Sequence, residues 1–441
     1  MPKVAFYTLG CKLNQYETEA MRRQMQSGGY RSVDFHQDAD VYVINTCTVT
    51  SRSDVRSRQM IRRAARRAGR GLVVVTGCYA QRAPEHIRQI PGVDLVLGNV
   101  EKSRVLDYVE DENKGGVFVS GLQGNRDYTE MEVSGYARHT RAFLKIQDGC
   151  DGQCTYCVVP LVRGPSRGRD FDAVIAQVDR FIQEGYKELV LTGVNLGRYR
   201  DPRRPEIDLL YLLRWLEQRS DLGRVRLSSI EPTDFSASLI RFLARSEKIC
   251  RHLHIPLQSG DDRILKAMNR PYTATEYRRL IERLAEEIPG ISIGADAIVG
   301  FPGESVDQFQ ATYRLLQALP VSRFHVFNFS RREETAAASL PHQVPPEERR
   351  ERSRQLRALA KAKARAFRRS FLDQWLTVLL EQRRDSATGS LTGLSDNYIR
   401  VLMEGSADQM NQLVPVKIYR VDEEKAWGRP SRGKTADDSP S

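Results

Sequence analysis

The chain has 441 residues, 40% apolar and 28% charged, an ordinary globular composition that makes room for about three domains. A formal net charge of +12 favours a polyanionic partner, nucleic acid being the commonest, and seven unevenly spread cysteines exclude a disulfide framework in favour of reduced thiols and metal binding. No apolar run approaches a membrane span, and the stretch from Val4 to Gly10 is too short for a secretion signal.

To about residue 138 short apolar runs alternate with helical segments, the pattern of a parallel sheet with crossover helices. Residues 4–8 read as a strand, followed by Leu9-Gly10-Cys11 and a helix from about Asn14. Residues 41–45 are a second strand, followed by Thr46-Cys47, and residues 72–76 a third, followed by Gly77-Cys78. Each cysteine stands just past the carboxyl end of a parallel strand. In open α/β sheets those ends share one edge, where ligand sites form, so Cys11, Cys47 and Cys78 make a candidate three-thiolate site. The competing reading is a small buried residue in each βα turn. Between the second and third strands, residues 51–70 read as a helix with eight arginines and one aspartate, too many around its girth to be buried. A solvated face and a phosphate-contacting face both fit that pattern.

The central segment opens on KIQDGCDGQCTYCVVPLVRGPSRGR, where Cys150, Cys154 and Cys157 follow a C-x₃-C-x-aromatic-C spacing. Three thiolates in one tight loop hold three irons of a cubane cluster and leave the fourth open for a ligand. A structural zinc knot is the alternative, but zinc takes four protein ligands as a rule, and no fourth cysteine or histidine lies in this loop. Strand candidates follow at residues 142–147, 188–192, 224–229, 252–256, 291–297 and 324–329, with helices at 172–184, 209–218, 275–287 and 306–319. Six such βα units imply a partial barrel with its site at the carboxyl ends of the strands, so the cysteine loop belongs at the barrel mouth. Arg163, Arg167 and Arg169, just beyond the loop, are candidate contacts to a nucleotide, and Cys250 reads as an ordinary core residue.

Residues 351–371 read as a basic helical arm leading out of the barrel, with Leu356, Leu359 and Phe367 too few for a strong core face. From residue 372 to about 430, strand candidates at 375–380, 390–394, 397–402 and 413–419 outline a small antiparallel barrel of a kind that often binds single-stranded nucleic acid. The polar tail, 431–441, reads as disordered.

The strings LGCKLNQYETE, NTCTVT, TGCYAQ, DGCDGQCTYCVVP, HIPLQSGDDRILKAMNR and ADAIVGFPGES, in this order, resemble the radical S-adenosylmethionine (SAM) methylthiotransferases over nearly the whole chain. The last module, with GLSDNYIRVLMEG, resembles the TRAM domain, an RNA-binding barrel. The resemblance implies an α/β chain of four parts: a flavodoxin-like N-terminal methylthiotransferase domain (1–138), a partial (βα)6 radical SAM core with its basic extension (139–371), a TRAM-like barrel (372–430) and the tail (431–441). It implies two [4Fe-4S] clusters, on Cys11, Cys47 and Cys78 and on Cys150, Cys154 and Cys157. It also implies SAM bound beside Tyr156, with Asn195, Gln258 and Ser259 as polar contacts. One SAM would methylate sulfur at the first cluster; the other would be cleaved at the second, giving the radical that activates a C–H bond.

KIQDGC and LTGVNLGRY look most like the members acting on N6-threonylcarbamoyladenosine at position 37 of tRNA. Other members act on N6-isopentenyladenosine of tRNA or on a ribosomal-protein aspartate. A cytoplasmic enzyme of this kind needs the tRNA anticodon region, a low-potential electron donor of flavodoxin or ferredoxin type and a sulfur donor as partners, and no membrane. From another class, a non-catalytic iron-sulfur RNA-binding protein would share the basic charge and the clusters but would release no methionine or 5′-deoxyadenosine.

Overall fold

Runs of the chain that are apolar throughout end up at the centre of sheets covered on both faces, and here that rule places the first three cysteines side by side. The computed structural model describes residues 1–111, 115–136 and 140–430. Its N-terminal sheet consists of β1 (Lys3–Thr8), β2 (Arg31–Val33), β3 (Val41–Thr46), β4 (Leu72–Gly77), β5 (Leu95–Leu97) and β6 (Gly116–Phe118). All pairs are parallel, in the order β2-β1-β3-β4-β5-β6. The three strands read from the sequence are the adjacent β1, β3 and β4. The other three span three residues each, too short for a hydrophobic period to register. Thr8 pairs with Asn45 and Asn45 with Thr76, so the three cysteine-bearing strands end level.

The crossovers are α1 (Lys12–Ser27), α2 (Ser51–Ala68), α3 (Cys78–Arg82), α4 (Pro84–Arg88) and α5 (Val105–Glu110). α1 buries Tyr16, Ala20, Met21 and Met25. α2, capped by Thr50, buries only Ile61 and Ala64 among its apolar residues and leaves Arg52, Arg56, Arg62, Arg63, Arg66 and Arg67 exposed.

The second unit begins with β7 (Ala142–Lys145). A short antiparallel pair, β8 (Gln147–Asp148) with β9 (Arg167–Gly168), brackets the Cys150–Cys157 loop and α6 (Val159–Arg163). Then come β10 (Glu188–Thr192), β11 (Arg224–Leu227), β12 (His252–His254), β13 (Ser292–Val299) and β14 (Arg323–Asn328). Between them lie α7 (Phe171–Gln183), α8 (Leu209–Glu217), α9 (Ala237–Arg245), α10 (Asp262–Ala267), α11 (Ala274–Glu287) and α12 (Val306–Ala318). Capping boxes at Thr273/Glu276 and Ser305/Gln308 fix where α11 and α12 start. The six barrel strands form two parallel three-stranded sheets, β11-β10-β7 and β12-β13-β14. Single parallel bridges, Val225 to Ile249 and Ser229 to His254, join them. Among the described residues β7 and β14 do not pair, so the barrel is open on that side.

The expected free arm is instead a packed helix, α13 (Pro346–Arg369), lying along β14. Leu356 is fully buried, and the arginine and lysine stems cover the rest. Arg352 reaches Glu304 (2.7 Å), Arg357 the Val326 carbonyl and Lys363 the carbonyls of Gln317 and Leu319. Beyond it β15 (Trp375–Arg384), β16 (Leu391–Ser395), β17 (Arg400–Met403), β18 (Leu413–Val421) and β19 (Ala426–Pro430) close a barrel in the order β15-β16-β17-β19-β18. β19 is the strand the sequence reading lacked; it supplies the pairings that shut the barrel.

The small barrel is seated on the larger one by charge. Glu188, fully buried on β10, accepts from Arg224 and Arg226 Nε, each at 2.7 Å. The remaining arginine donors run to the carbonyls of Thr377, Leu394, Ser395 and Asp396 at 2.7–3.0 Å. The boundary expected at 138/139 and the tail from 431 fall outside the described residues. No helix among the described residues is long and apolar enough to cross a membrane.

Candidate active site

Cys11, Cys47 and Cys78 meet at the carboxyl edge of β1, β3 and β4. Two glycines make the approach possible. At Gly10 (φ +104°) a Cβ would lie 2.9 Å from the Cys47 Cβ, and at Gly77 (φ +94°) it would lie 2.5 Å from the Thr46 carbonyl oxygen. Both positions therefore need glycine for space as well as for backbone conformation. The Asn14 amide binds the loops together, donating to the carbonyls of Leu9 (2.7 Å) and Thr46 (3.0 Å). Cys11 reaches solvent, Cys47 is half-buried and Cys78 is buried. Burial pushes the Cys47 thiol up to about 11, and the neighbouring Cys78 adds to the rise.

Cys150, Cys154 and Cys157 lie across from this edge, in the loop between β8 and α6. Each sulfur accepts one hydrogen bond: from Gly152 N to Cys150 (3.3 Å), Arg270 Nη1 to Cys154 (3.2 Å) and Val159 N to Cys157 (3.4 Å). Such donors stabilise thiolates. Burial raises Cys150 and pushes Cys157 up to about 12. His254, Asp296 and His325 form a further close group, their ligand atoms within 4.8 Å of one another. Zinc as a rule takes four protein ligands, whereas three thiolates per set fit a cluster with one iron per cysteine and one iron left open.

A buried ionic lattice fixes the two edges to each other. Glu17 on α1, fully buried, accepts from Lys102, from Lys145 Nζ (2.9 Å) and from Arg163 Nη1 (2.9 Å). Arg163 also donates to Asn14 Oδ1 (2.7 Å) and Asp148 (3.0 Å), and Lys145 lies 2.7 Å from Asp148. Burial alone would raise the Glu17 carboxyl, but Arg163, Lys102 and Lys145 hold it well below the ordinary carboxylate range. Arg332 adds a second link, donating to Asp54 (2.6 Å) and the Thr48 carbonyl (2.7 Å).

This lattice corrects the reading of Arg163, Arg167 and Arg169 as nucleotide contacts. They are 3, 7 and 2% exposed. Arg167 donates to the Arg163 carbonyl (2.7 Å), and Arg169 pairs with Glu130 and reaches the Tyr16 hydroxyl. A buried guanidinium must be paired within the protein, and these three are.

The other sequence candidates fall around the barrel mouth with different freedoms. Tyr156 packs, partly buried, against the apolar cluster of Ile264, Met268, Ile298, Phe301, Phe329 and Ala337. Asn195 hydrogen-bonds Asp234, while its Oδ1 is buried without a partner among the described residues, an acceptor open to a ligand. Gln258 is half-buried, holds φ +67° and binds the backbone of β13 through its own N–H and C=O. The Ser259 hydroxyl is fully buried and engaged with Thr312 (3.3 Å) and Asp261 N, so it holds the loop.

Sequence reasoning missed Glu231, which pairs with Arg270 behind Cys154, and the lumen group in which Asp296 accepts from His254 Nε2 (2.9 Å) and His325 Nδ1 (3.0 Å). Charged residues at strand ends in an otherwise apolar barrel were the available signal.

Comparison with known proteins agrees with this arrangement. Residues 3–98 match the model of uncharacterized protein family UPF0004, and residues 144–316 that of the radical SAM superfamily. The threonylcarbamoyladenosine tRNA methylthiotransferase MtaB of Bacillus subtilis is 40% identical over 426 residues, covering 95% of this chain and 94% of the relative. The tRNA-2-methylthio-N(6)-dimethylallyladenosine synthase of Methylobacillus flagellatus is 33% identical over 431 residues, covering 95% and 97%. Among solved structures, the radical SAM methyltransferase TsrM of Kitasatospora setae has the same fold at a TM-score of 0.57, with 17% identity, covering 76% of this chain and 77% of that one.

Proposed function

Because the chain belongs to the radical SAM methylthiotransferases, a family of enzymes, we propose that it places a methylthio group at C2 of N6-threonylcarbamoyladenosine at position 37 of tRNA. The observation that carries the reading is the pair of three-thiolate sets on two units that the buried Glu17–Arg163 ion pair holds together. The higher identity to the threonylcarbamoyl relative than to the dimethylallyl relative, 40% against 33%, supports the substrate.

In this reading Cys11, Cys47 and Cys78 hold one [4Fe-4S] cluster and Cys150, Cys154 and Cys157 the other, with SAM beside the second. Together the bound cofactors supply the electron, the methyl group and the radical that activates an unreactive C–H bond. The protein's share is placement and exclusion of water. Arg270 donates to Cys154 and fixes Glu231 beside the mouth, Asn195 offers its free Oδ1 to a ligand, and Gln258 and Ser259 shape the loop opposite Tyr156. The Glu17 and Asp148 lattice keeps the two cysteine sets in register.

The domain division that goes with this function is 1–138, 139–371 and 372–430, with 431–441 as a tail. The exposed arginines of α2 and the C-terminal barrel are surfaces for the anticodon region of tRNA. A low-potential electron donor of flavodoxin or ferredoxin type and a sulfur donor complete the partners, in the cytoplasm. The test is nucleoside analysis after reaction with tRNA carrying either threonylcarbamoyladenosine or dimethylallyladenosine. Methylthiolation of the first alone is expected; methylthiolation of the second alone would reassign the substrate.

A further inference from the structure

Where N-terminal sheet, open barrel and C-terminal barrel meet, a cavity of about 510 Å³ is lined by Lys12, Gln15, Arg141, Glu381, Tyr398 and Arg400, among others. Its volume is within the range of small-ligand pockets. Tyr398, at φ +68° in the turn between β16 and β17, projects into the amino-terminal end of the open barrel. Its ring stacks on His252 at 4.3 Å, with Arg323 at 4.2 Å and Arg226 at 5.0 Å from its centre. Burial would raise this phenol, but Lys12, Arg141, Arg323 and Arg226 together pull it below its ordinary value.

The cations around Tyr398 are not equally free. Arg226 is consumed by Glu188 and two carbonyls, Arg141 sits 3.9 Å from the same Glu188, and Arg400 is 3.7 Å from Glu381. Lys12 on this cavity, and Arg323 on an adjoining one of about 350 Å³ that Tyr398 and Arg400 also line, have no carboxylate or carbonyl acceptor among the described residues. The two adjoining spaces are therefore net positive with one uncommitted cation each, an arrangement that favours an anion and penalises a hydrocarbon that would strip their water.

Its position connects it to the chemistry. Lys12 directly follows Cys11. Tyr398 stacks on His252, and two residues further along β12 His254 pairs with Asp296 beside His325, while Glu231 pairs with Arg270, whose guanidinium touches Cys154.

Threonylcarbamoyl ends in a carboxylate; dimethylallyl is hydrocarbon. We infer that Lys12, with Arg323 on the Tyr398 ring, receives the carboxylate of the threonylcarbamoyl group and so selects that nucleoside over the dimethylallyl one, an inference that rests on the proposed function. A site built around a buried charge pair rejects a partner lacking the charge far more strongly than an apolar pocket rejects a misfit.

The test compares tRNA carrying threonylcarbamoyladenosine with the same tRNA methyl-esterified at the threonyl carboxylate, using reconstituted wild type, Lys12→Met and Lys12→Arg. Wild type should lose on the order of 10²-fold in kcat/KM on the ester; Lys12→Met should lose a similar factor on the acid and treat both alike, while Lys12→Arg keeps most of the discrimination. Wild type acting equally on acid and ester overturns the inference without recourse to any variant. So does a Lys12→Met that weakens binding of tRNA with unmodified A37 by the same factor, which would make Lys12 a phosphate contact, or one that loses iron, which would make it a support for Cys11. If wild type modifies dimethylallyladenosine tRNA but not the threonylcarbamoyl form, the proposed function itself fails, and that outcome is visible before any variant is made.

Discussion

Glu17→Gln is the sharpest perturbation of the lattice between the two cysteine sets, because it keeps the side chain's shape and removes its charge. In the native chain Glu17 faces Lys102, Lys145 and Arg163, with Asp148 the only other carboxylate among the described residues in contact with Lys145 and Arg163. The variant leaves Lys145 and Arg163 to share Asp148, and Lys102 with only the Asn99 Oδ1 acceptor. Breaking a buried pair by removing one partner costs about 3–5 kcal/mol, so amide exchange from α1 and β7 should accelerate by about 10²- to 10⁴-fold in the variant. Hydrogen exchange read by peptide mass spectrometry on the anaerobically reconstituted protein localises the effect. Exchange in the C-terminal barrel, which Glu17 does not touch, is the internal control. Adding Lys102→Met removes one of the stranded cations and should restore part of the protection, the coupling expected of groups in one network. An acceleration below about 10-fold in Glu17→Gln would mean that desolvation had already cancelled the attraction and would refute the view that this lattice docks the two units.

Glu188 gives a pH prediction. Burial would raise its carboxyl, but Arg226 and Arg224 hold it down to about 2. Being lowered from about 4.3 unfolded, it contributes ~3 kcal/mol that is fully present above about pH 5 and disappears as pH falls toward 2, so acid unfolding should begin at the C-terminal barrel and shift upward in pH in Glu188→Gln. Gly77→Ala would bring a Cβ to 2.5 Å from the Thr46 carbonyl oxygen at a φ of +94°, and it should retain about half the iron of wild type, the Cys150 set being untouched. Arg270→Met strands Glu231 and removes the donor to Cys154, so SAM cleavage should fall on the order of 10²-fold while tRNA affinity stays level; an unchanged rate would remove Arg270 from the site. Replacing the exposed Arg62 and Arg66 of α2 by Gln should lower the salt slope of tRNA binding by about 0.7–0.9 for each phosphate no longer neutralised, and an unchanged slope would make this a solvated face.

The grouping of six cysteines into two sets was legible because its signal is local: a fixed spacing for Cys150, Cys154 and Cys157, and a strand followed by a turn for each of Cys11, Cys47 and Cys78. The six barrel strands and most helices were legible for the same reason, since apolar runs and caps report on their own segment. The roles of Arg163, Arg167 and Arg169 were not, because an arginine beside a metal loop reads the same whether it faces substrate or a carboxylate 146 residues away such as Glu17. β2, β5 and β6 hide for want of length. The α13 helix misled because its burial is by long basic side chains lying over β14 with few apolar positions to mark it. Tyr398 gave no sequence signal, since its importance arises only when a turn of one barrel enters the end of another.

The most direct test of the two-site account is metal and sulfide analysis of the protein reconstituted without oxygen, alongside versions with alanine at Cys11, Cys47 and Cys78 or at Cys150, Cys154 and Cys157. The account predicts about eight irons and eight sulfides per chain in wild type and about four of each in either triple variant, with zinc absent from both sites. Wild type saturating at about four irons, or either cysteine set filling with stoichiometric zinc under these conditions, would contradict it.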